Sequence, residues 1–173
     1  MLKRSLIPSR ALLPQAMSVV PYLTPAEVAR LAASCPGRNR TRDQLLIHTL
    51  FQTGVRISEA LSLTPRHIGT QARGAVPDIR GKGGKSRLVA CPDRLAHRLK
   101  SVAFDRKLGL DDRIFKINRR RAWQVIKAAA ERAGINKRVY PHLFRHSGAI
   151  DRLRQTGNPR ALQIHLGHAF SPL

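Results

Sequence analysis

Helix start and stop signals recur along most of this chain and leave little of it for any other element. Thr24-Pro25-Ala26-Glu27 is typical of a helix N-terminus, with an N-cap, a proline in the first turn and a glutamate completing a capping box. Gly54, Gly134 and Gly157 each follow a helical pattern, where a residue able to adopt positive φ commonly ends a helix. The chain is therefore predicted to be mostly helical.

These start and stop signals also set approximate boundaries for the helices. It predicts helices over 25–33, from an apolar stripe beginning at Leu45 up to Gly54, from Ser58 to about Leu63, over 93–102, 119–133 and 141–155, and from Asn158 onward. The stretch 35–42 is predicted to be a basic loop, and 113–116 a short extended piece.

One segment departs from the helical pattern. Between Ala75 and Ala90, short apolar stretches flank Gly81–Lys85, which predicts a β-hairpin closed by glycines. Pro77 makes the first strand short or places it at an edge. The predicted fold class is thus mostly α with a small antiparallel β-sheet (α+β).

Size and charge restrict the partner. With 173 residues the chain is long enough for one domain, and 32 Lys and Arg against 10 Asp and Glu give a net charge of +22. Such a charge favours nucleic acid or an anionic membrane surface. No apolar run approaches the ~20 residues of a spanning helix, so a soluble protein bound to nucleic acid is the stronger expectation.

The N-terminus and the cysteines bear on location. Residues 1–21 hold Lys3, Arg4 and Arg10 with no acid before Glu27, which faintly resembles a transit peptide or a secretory leader. Prolines interrupt any apolar region there, so a flexible basic arm is preferred, followed by a single domain over 22–173. Cys35 and Cys91 lie far apart in sequence, which predicts reduced, buried thiols in a cytoplasmic, nucleoid-associated protein.

The strongest chemical pattern is His142 with Arg145, one helical turn apart. A helical face that pairs a proton-transfer group with a guanidinium suits phosphate chemistry, although a solvated basic helix has the same pattern. Arg56 follows the Gly54 helix end, so its position is fixed by the core; it is either a phosphate ligand or simply the partner of Glu59. In either case Glu59 is a supporting residue.

Other basic and histidine clusters leave alternatives open. Lys82 and Lys85 lie in the predicted turn, where they either reach a phosphodiester or are merely solvated. Arg119, Arg120 and Arg121 open a basic helix that either contacts DNA or forms a solvated face with Trp123 in the core. A metal site built from His142, His146, His165 and His168 is disfavoured, because Arg145 would repel a cation and the Glu of H-E-x-x-H is absent.

Taken in order, these segments resemble the motifs of the tyrosine recombinase (phage integrase) family. The first arginine motif is similar to 53–61 (TGVRISEAL), the hairpin lysine motif to 81–87 (GKGGKSR), the H-x-x-R motif to 142–146 (HLFRH) and the L-G-H motif to 166–168. Each motif is common alone, but four in this order and spacing are specific. The resemblance covers residues 22–173, the family's catalytic domain.

The resemblance implies a site and a reaction, site-specific DNA recombination or integration through a 3′-phosphotyrosine. Arg56 and Arg145 would hold the non-bridging oxygens of the scissile phosphate, Lys82 would protonate the leaving 5′ oxygen, His142 would act in proton transfer, and His168 would hydrogen-bond the phosphate. No metal or other cofactor is implied, since the arginines supply the electrostatic stabilisation. The implied partners are double-stranded DNA and other recombinase protomers, with no membrane and no small-molecule substrate.

Two departures from the family pattern shape the expectation. The nucleophilic tyrosine of the family follows the L-G-H histidine by about nine residues, whereas this sequence has five residues after His168, and neither Tyr22 nor Tyr140 matches that position. The helical core-binding domain that usually precedes the catalytic one is also not present. The expectation is a recombinase catalytic-like domain inactive alone, the alternative being a DNA-binding remnant or regulator of a full-length recombinase. A basic RNA-associated structural protein would explain the charge but not the ordered motifs.

Overall fold

The computed structural model describes residues 21–68, 78–80 and 86–160, and of residues 78–80 and 86–88 it describes the backbone alone. The helices within these ranges are α1 (Pro25–Ala33), α2 (Arg40–Thr53), α3 (Ile57–Ser62), α4 (Asp93–Asp105), α5 (Arg119–Arg132) and α6 (Pro141–Thr156), with a 3₁₀ turn at Pro65–His67. Strands β1 (Asp78–Arg80) and β2 (Ser86–Leu88) pair antiparallel, with Ile79 opposite Arg87. The mostly helical fold expected from the sequence is confirmed.

Local capping chemistry explains several helix ends. The Thr24 hydroxyl accepts a hydrogen bond from the Glu27 backbone N–H at 3.2 Å, and the Glu27 carboxylate accepts one from the Thr24 N–H at 2.8 Å. Asn118 caps α5 by accepting a bond from the Arg121 N–H at 2.8 Å. Gly54 ends α2 in the left-handed region, with φ of 64°. These caps are those that the sequence predicted.

Two predicted helix boundaries are wrong, and the stretch predicted to be a short extended piece pairs with no strand among the described residues. Helix α2 begins at Arg40, inside the predicted loop, since the Asp43 N–H already donates to the Asn39 carbonyl. Helix α4 continues three residues beyond the predicted end at Val102 and buries Ala103. The stretch 113–116 forms no strand within the described ranges; its Ile114 N–H donates to the Leu63 carbonyl instead.

Helix α2 is the centre of the core. Leu46, Ile47 and Leu50 are fully buried, and the helix packs against α1, α4 and α6. At Gly148 of α6, an added Cβ would overlap the carbonyl oxygen of Phe51 on α2. Glycine is therefore required there for α2 and α6 to approach as they do.

The residues that precede α1 are tied to α6. The Leu23 N–H donates to the buried Ser147 hydroxyl at 2.7 Å, and Ser147 in turn donates to the Leu143 carbonyl at 2.6 Å. Lys137 donates to the Tyr22 carbonyl at 2.9 Å and pairs with the Glu27 carboxylate at 2.8 Å. The start of the described domain thus supports the helix that carries the H-x-x-R motif.

Both cysteines are buried free thiols, as predicted. Burial raises the pKa of Cys35 and of Cys91 to about 11, so both stay protonated at neutral pH. Among the helices that the structure describes, none has the length and apolar character needed to span a membrane. The predicted basic arm spans residues 1–21, and all of it except Pro21 lies outside the described ranges.

Candidate functional site

A cleft of about 410 Å³ opens where the first turns of α3, α5 and α6 meet. Its walls carry cations from three separate stretches of sequence together with aromatic and small polar side chains. The lining residues are Val55, Arg56, Ile57, Ser58, Arg119, Trp123, Tyr140, Pro141, His142 and Arg145. The structure therefore brings together Arg56, His142 and Arg145, three of the residues that the sequence singled out.

Arg56 is the N-cap of α3 and is fixed by Glu59. Its backbone N–H donates to Glu59 Oε2 at 2.6 Å, and its Nη1 donates to Glu59 Oε1 at 3.0 Å. The Glu59 side chain is 5% exposed, whereas that of Arg56 is 46% exposed. Of the two alternatives left open by the sequence, the pairing with Glu59 is observed; Arg56 also lines the cleft, so its role as a phosphate ligand stays a prediction.

Arg145, which lies on α6, is held by the end of α2. The residue is 6% exposed, and its Nη1 donates to the Gly54 carbonyl oxygen at 2.6 Å. Gly54 can offer this carbonyl because its left-handed conformation ends the helix and turns the chain towards Arg56. One glycine thus places both arginines: it precedes the first closely in sequence and contacts the second directly.

His142 lies in the first turn of α6 and is exposed to solvent. Pro141 opens the helix before it, where a missing N–H costs nothing. The amide groups of a first helical turn have no partner within the helix and carry partial positive charge, which attracts anions. His142 therefore adds a proton donor or acceptor to a wall that already favours a phosphate.

Helix α5 supplies the third wall through Arg119 and Trp123. Trp123, which could have filled the core, is instead 36% exposed and lines the cleft, while Ala122 and Ile126 of the same helix are fully buried. The sequence alone favours a core position for Trp123 at least as strongly as a contact of this helix with DNA. Helical phase would not have settled the question, because Trp123 lies three residues before the buried Ile126 and seven before the buried Ala130, at the edge of the buried face.

Other basic residues of α5 lie elsewhere. Arg121 lines a smaller hollow of about 170 Å³ with Asp43 and Arg132, on a face of α5 different from the one at the cleft. Arg120 is exposed and lines neither hollow. Of the three consecutive arginines, the structure therefore brings only Arg119 to the cleft.

The remaining histidines and lysines are placed as follows. His146 does not line the cleft, and its Nε2 is buried with no hydrogen-bond partner among the described residues. Lys82, Lys85, His165 and His168 lie outside the described ranges. No group of three or more His, Cys, Asp or Glu side chains in the part of the chain that the structure describes could hold a metal ion.

The arrangement suits binding of a phosphodiester. Two guanidinium groups approach one space from different elements, each pre-oriented by an acceptor, so neither must be reorganised when an anion arrives. Helix N-termini reinforce the positive potential, and the exposed imidazole of His142 provides a group for proton transfer.

Comparison with known proteins identifies relatives of this site and fold. The sequence matches the Phage integrase family over residues 21–171. The tyrosine recombinase XerD of Mycobacterium tuberculosis is 37% identical over 174 residues, which cover 94% of this chain and 55% of the relative. The tyrosine recombinase XerA of Thermococcus kodakarensis is 34% identical over 155 residues, covering 85% of this chain and 54% of the relative.

Solved structures have the same fold. A crystal structure of XerA recombinase superimposes with a TM-score of 0.71 at 28% identity, covering 87% of this chain and 57% of the other. The XerH site-specific recombinase bound to its difH substrate gives a TM-score of 0.73 at 24% identity, covering 86% and 47%. The chain spans about half the length of the curated relatives it matches. With the family match over residues 21–171 and the arginine and H-x-x-R motifs meeting in one cleft, this chain belongs to the phage integrase family of tyrosine recombinases.

Proposed function

We propose that this chain binds the scissile phosphate of double-stranded DNA as the catalytic-domain part of a site-specific tyrosine recombinase. The observation that carries the proposal is the shared cleft of Arg56 and Arg145, which come from helices far apart in sequence. A solvated basic surface does not require such convergence, whereas recognition of one phosphate does.

The two arginines have complementary parts in this proposal. Arg145 is almost completely buried and rigidly held by the Gly54 carbonyl, so it defines the position of the phosphate. Arg56 is half exposed and held at one edge by Glu59, so guanidinium N–H groups without a partner among the described residues can meet a second non-bridging oxygen. As negative charge builds on a pentavalent phosphorus, both guanidiniums stabilise it without reorientation.

The other roles rest on the family motifs. We assign proton transfer to His142, protonation of the leaving 5′ oxygen to Lys82, and a hydrogen bond to the phosphate to His168, with Glu59 and Lys85 in support. In this proposal β1 and β2 form the small antiparallel sheet of the domain, and the segment between them carries Lys82 to DNA. Residues 22–173 then act as the catalytic-like domain, while the basic stretch 1–21 and Arg119 to Arg121 add contacts to the DNA backbone.

Duplex-DNA titration at several salt concentrations tests the proposal. With about six phosphate contacts, the affinity falls on the order of 10³-fold between 50 and 200 mM salt. Arg56→Ala lowers the affinity and reduces the slope of log K against log salt by about 1, because one phosphate contact is lost.

Arg66→Ala is the matched control. Arg66 is also paired with a carboxylate, Asp111, at 2.7 Å, and is 59% exposed, but it does not line the cleft. We expect the DNA affinity of Arg66→Ala to stay within twofold of that of the wild type. A flat salt dependence, or equal losses in the two variants, would refute the phosphate cleft.

A second candidate function is DNA binding without strand cleavage, as in a regulator of a full-length recombinase. It is favoured by the chemistry of the described part of the cleft, whose one phenol belongs to Tyr140. Tyr140 is the N-cap of α6 and packs partly against the core, so its hydroxyl reaches an in-line position only if the helix start unwinds.

A suicide duplex that traps covalent intermediates distinguishes the two functions when the products are analysed by mass spectrometry. We expect Tyr140→Phe to leave the yield of any DNA-linked protein unchanged. An adduct that disappears in Tyr140→Phe would make Tyr140 the nucleophile and contradict the reasoning from its packing. Binding without an adduct in either protein supports the regulator.

A further inference from the structure

Helix α5 presents three different faces. Ala122, Ile126 and Ala129 are buried in the core, whereas Arg121 and Arg132 line the smaller hollow. Arg119 and Trp123, one turn apart, line the cleft that holds Arg56 and Arg145. The cleft face of α5 therefore consists of a cation followed by the largest aromatic side chain.

The exposure of Trp123 needs an explanation. Trp123 is 36% exposed, does not belong to the hydrophobic core cluster and lines the cleft, so part of its apolar area stays accessible there instead of being buried by the fold. Aromatic side chains beside cations hold single-stranded nucleotides without reading their sequence, with the ring on a base and the cations on the backbone. On a duplex, whose base faces are stacked, the sugar or a base edge is the apolar surface that such a ring can reach.

The size of the cleft agrees with a ligand larger than one phosphate. A phosphate group occupies a few times the ~30 Å³ share of a water molecule. The cleft measures about 410 Å³, and Trp123 lines it together with the arginines. Space therefore remains beside the phosphate for an apolar moiety.

We propose that Trp123 contacts the sugar or base of the nucleotide adjoining the phosphate held by Arg56 and Arg145, with Arg119 on the neighbouring phosphate. The inference rests on the proposed function and adds a contact that is independent of charge. Its consequence is that the cleft distinguishes a nucleotide from bare phosphate, and does so in a sequence-tolerant way.

The experiment uses the whole 173-residue chain and the same duplex titration. Trp123→Ala lowers affinity on the order of tenfold, as expected for one lost aromatic contact, while the slope of log K against log salt is unchanged. Arg119→Ala reduces that slope by about 1. Trp123→Phe restores most of the affinity, because a smaller ring still packs on the nucleotide.

Fluorescence gives an independent readout because Trp123 is the single tryptophan of the chain. We expect duplex DNA to change its emission at saturation and inorganic phosphate to change it far less. Phe104→Ala is the matched control: this aromatic is 84% exposed on α4 and does not line the cleft, so its removal leaves affinity within twofold.

The outcomes separate this inference from the proposed function. Suppose that the wild type binds DNA and that Arg56→Ala weakens binding. If Trp123→Ala, verified as folded by circular dichroism, then binds DNA within twofold of the wild type, the Trp123 contact is refuted and the phosphate cleft stands. If Trp123→Ala lowers the salt slope instead, its effect is a displaced cation and the inference is again refuted. If Trp123→Ala does not fold, Trp123→Leu and Trp123→Phe decide, since the proposed contact requires Phe to bind more tightly than Leu. Loss of the salt dependence in the wild type itself would refute the proposed function.

Discussion

Replacing Gly148 by alanine tests whether the contact of α2 with α6 positions Arg56 and Arg145 in the cleft. The new methyl group would overlap the Phe51 carbonyl oxygen, which is backbone and cannot rotate aside. Overpacking of this kind costs about 1–3 kcal/mol, and a rigid neighbour places Gly148→Ala near the upper end. Alanine in a helix recovers about 1 kcal/mol of propensity relative to glycine. The net expectation is a loss of about 2 kcal/mol in the free energy of unfolding.

Thermal unfolding and DNA titration measure the two consequences. For a chain of this length, 2 kcal/mol corresponds to a fall in Tm of about 4–8 °C. DNA affinity falls as well, because α6 carries Arg145 and α2 ends at the Gly54 carbonyl that holds it. An arginine displaced by about 1 Å no longer meets the phosphate oxygens at hydrogen-bonding distance, so the DNA affinity should fall measurably.

Gly109→Ala is the control for the substitution itself. An added Cβ at Gly109 meets only the Asp112 side chain, at 3.5 Å, which is an ordinary contact. The free energy of unfolding of Gly109→Ala should differ from that of the wild type by no more than about 0.5 kcal/mol. An unchanged or raised Tm in Gly148→Ala would refute the close approach of α2 and α6.

Two further predictions concern titratable groups. For the Glu27 carboxylate, partial burial is the largest influence on the pKa and opposes ionisation, but hydrogen bonds from Lys137 and Thr24 lower the pKa overall. The ionised carboxylate therefore stabilises the fold above the ordinary pKa of 4.5, and this stabilisation is lost as the pH falls below that value. Glu27→Gln should therefore be less stable than wild type at pH 7, with the gap in Tm closing towards pH 3; a gap that stays constant would contradict the ion pair with Lys137. For Cys35 and Cys91, burial and pKa values of about 11 predict slow alkylation by iodoacetamide at pH 8 in the folded protein and rapid alkylation in denaturant. Mass spectrometry measures the modification, and rapid modification of either thiol without denaturant would contradict the burial of that thiol.

Much of the local structure follows from the sequence alone. The capping box at Thr24 and Glu27, the Asn118 cap and the glycine at the end of α2 depend on residues within a few positions of one another. Their chemistry is the same whatever the rest of the chain does, so the pattern predicts them. The order of the arginine and H-x-x-R motifs likewise identified the family before any geometry was known.

The site required the tertiary structure. The Arg145 guanidinium meets the Gly54 carbonyl across 91 positions of sequence, and the packing of α6 on α2 decides that contact. The assembly of α3, α5 and α6 likewise decides that Arg56, already paired with Glu59, and Trp123 line the same cleft. Local patterns fix which face of a helix is apolar, but the neighbour that each remaining face meets depends on the burial of the whole core, which no short stretch of sequence contains.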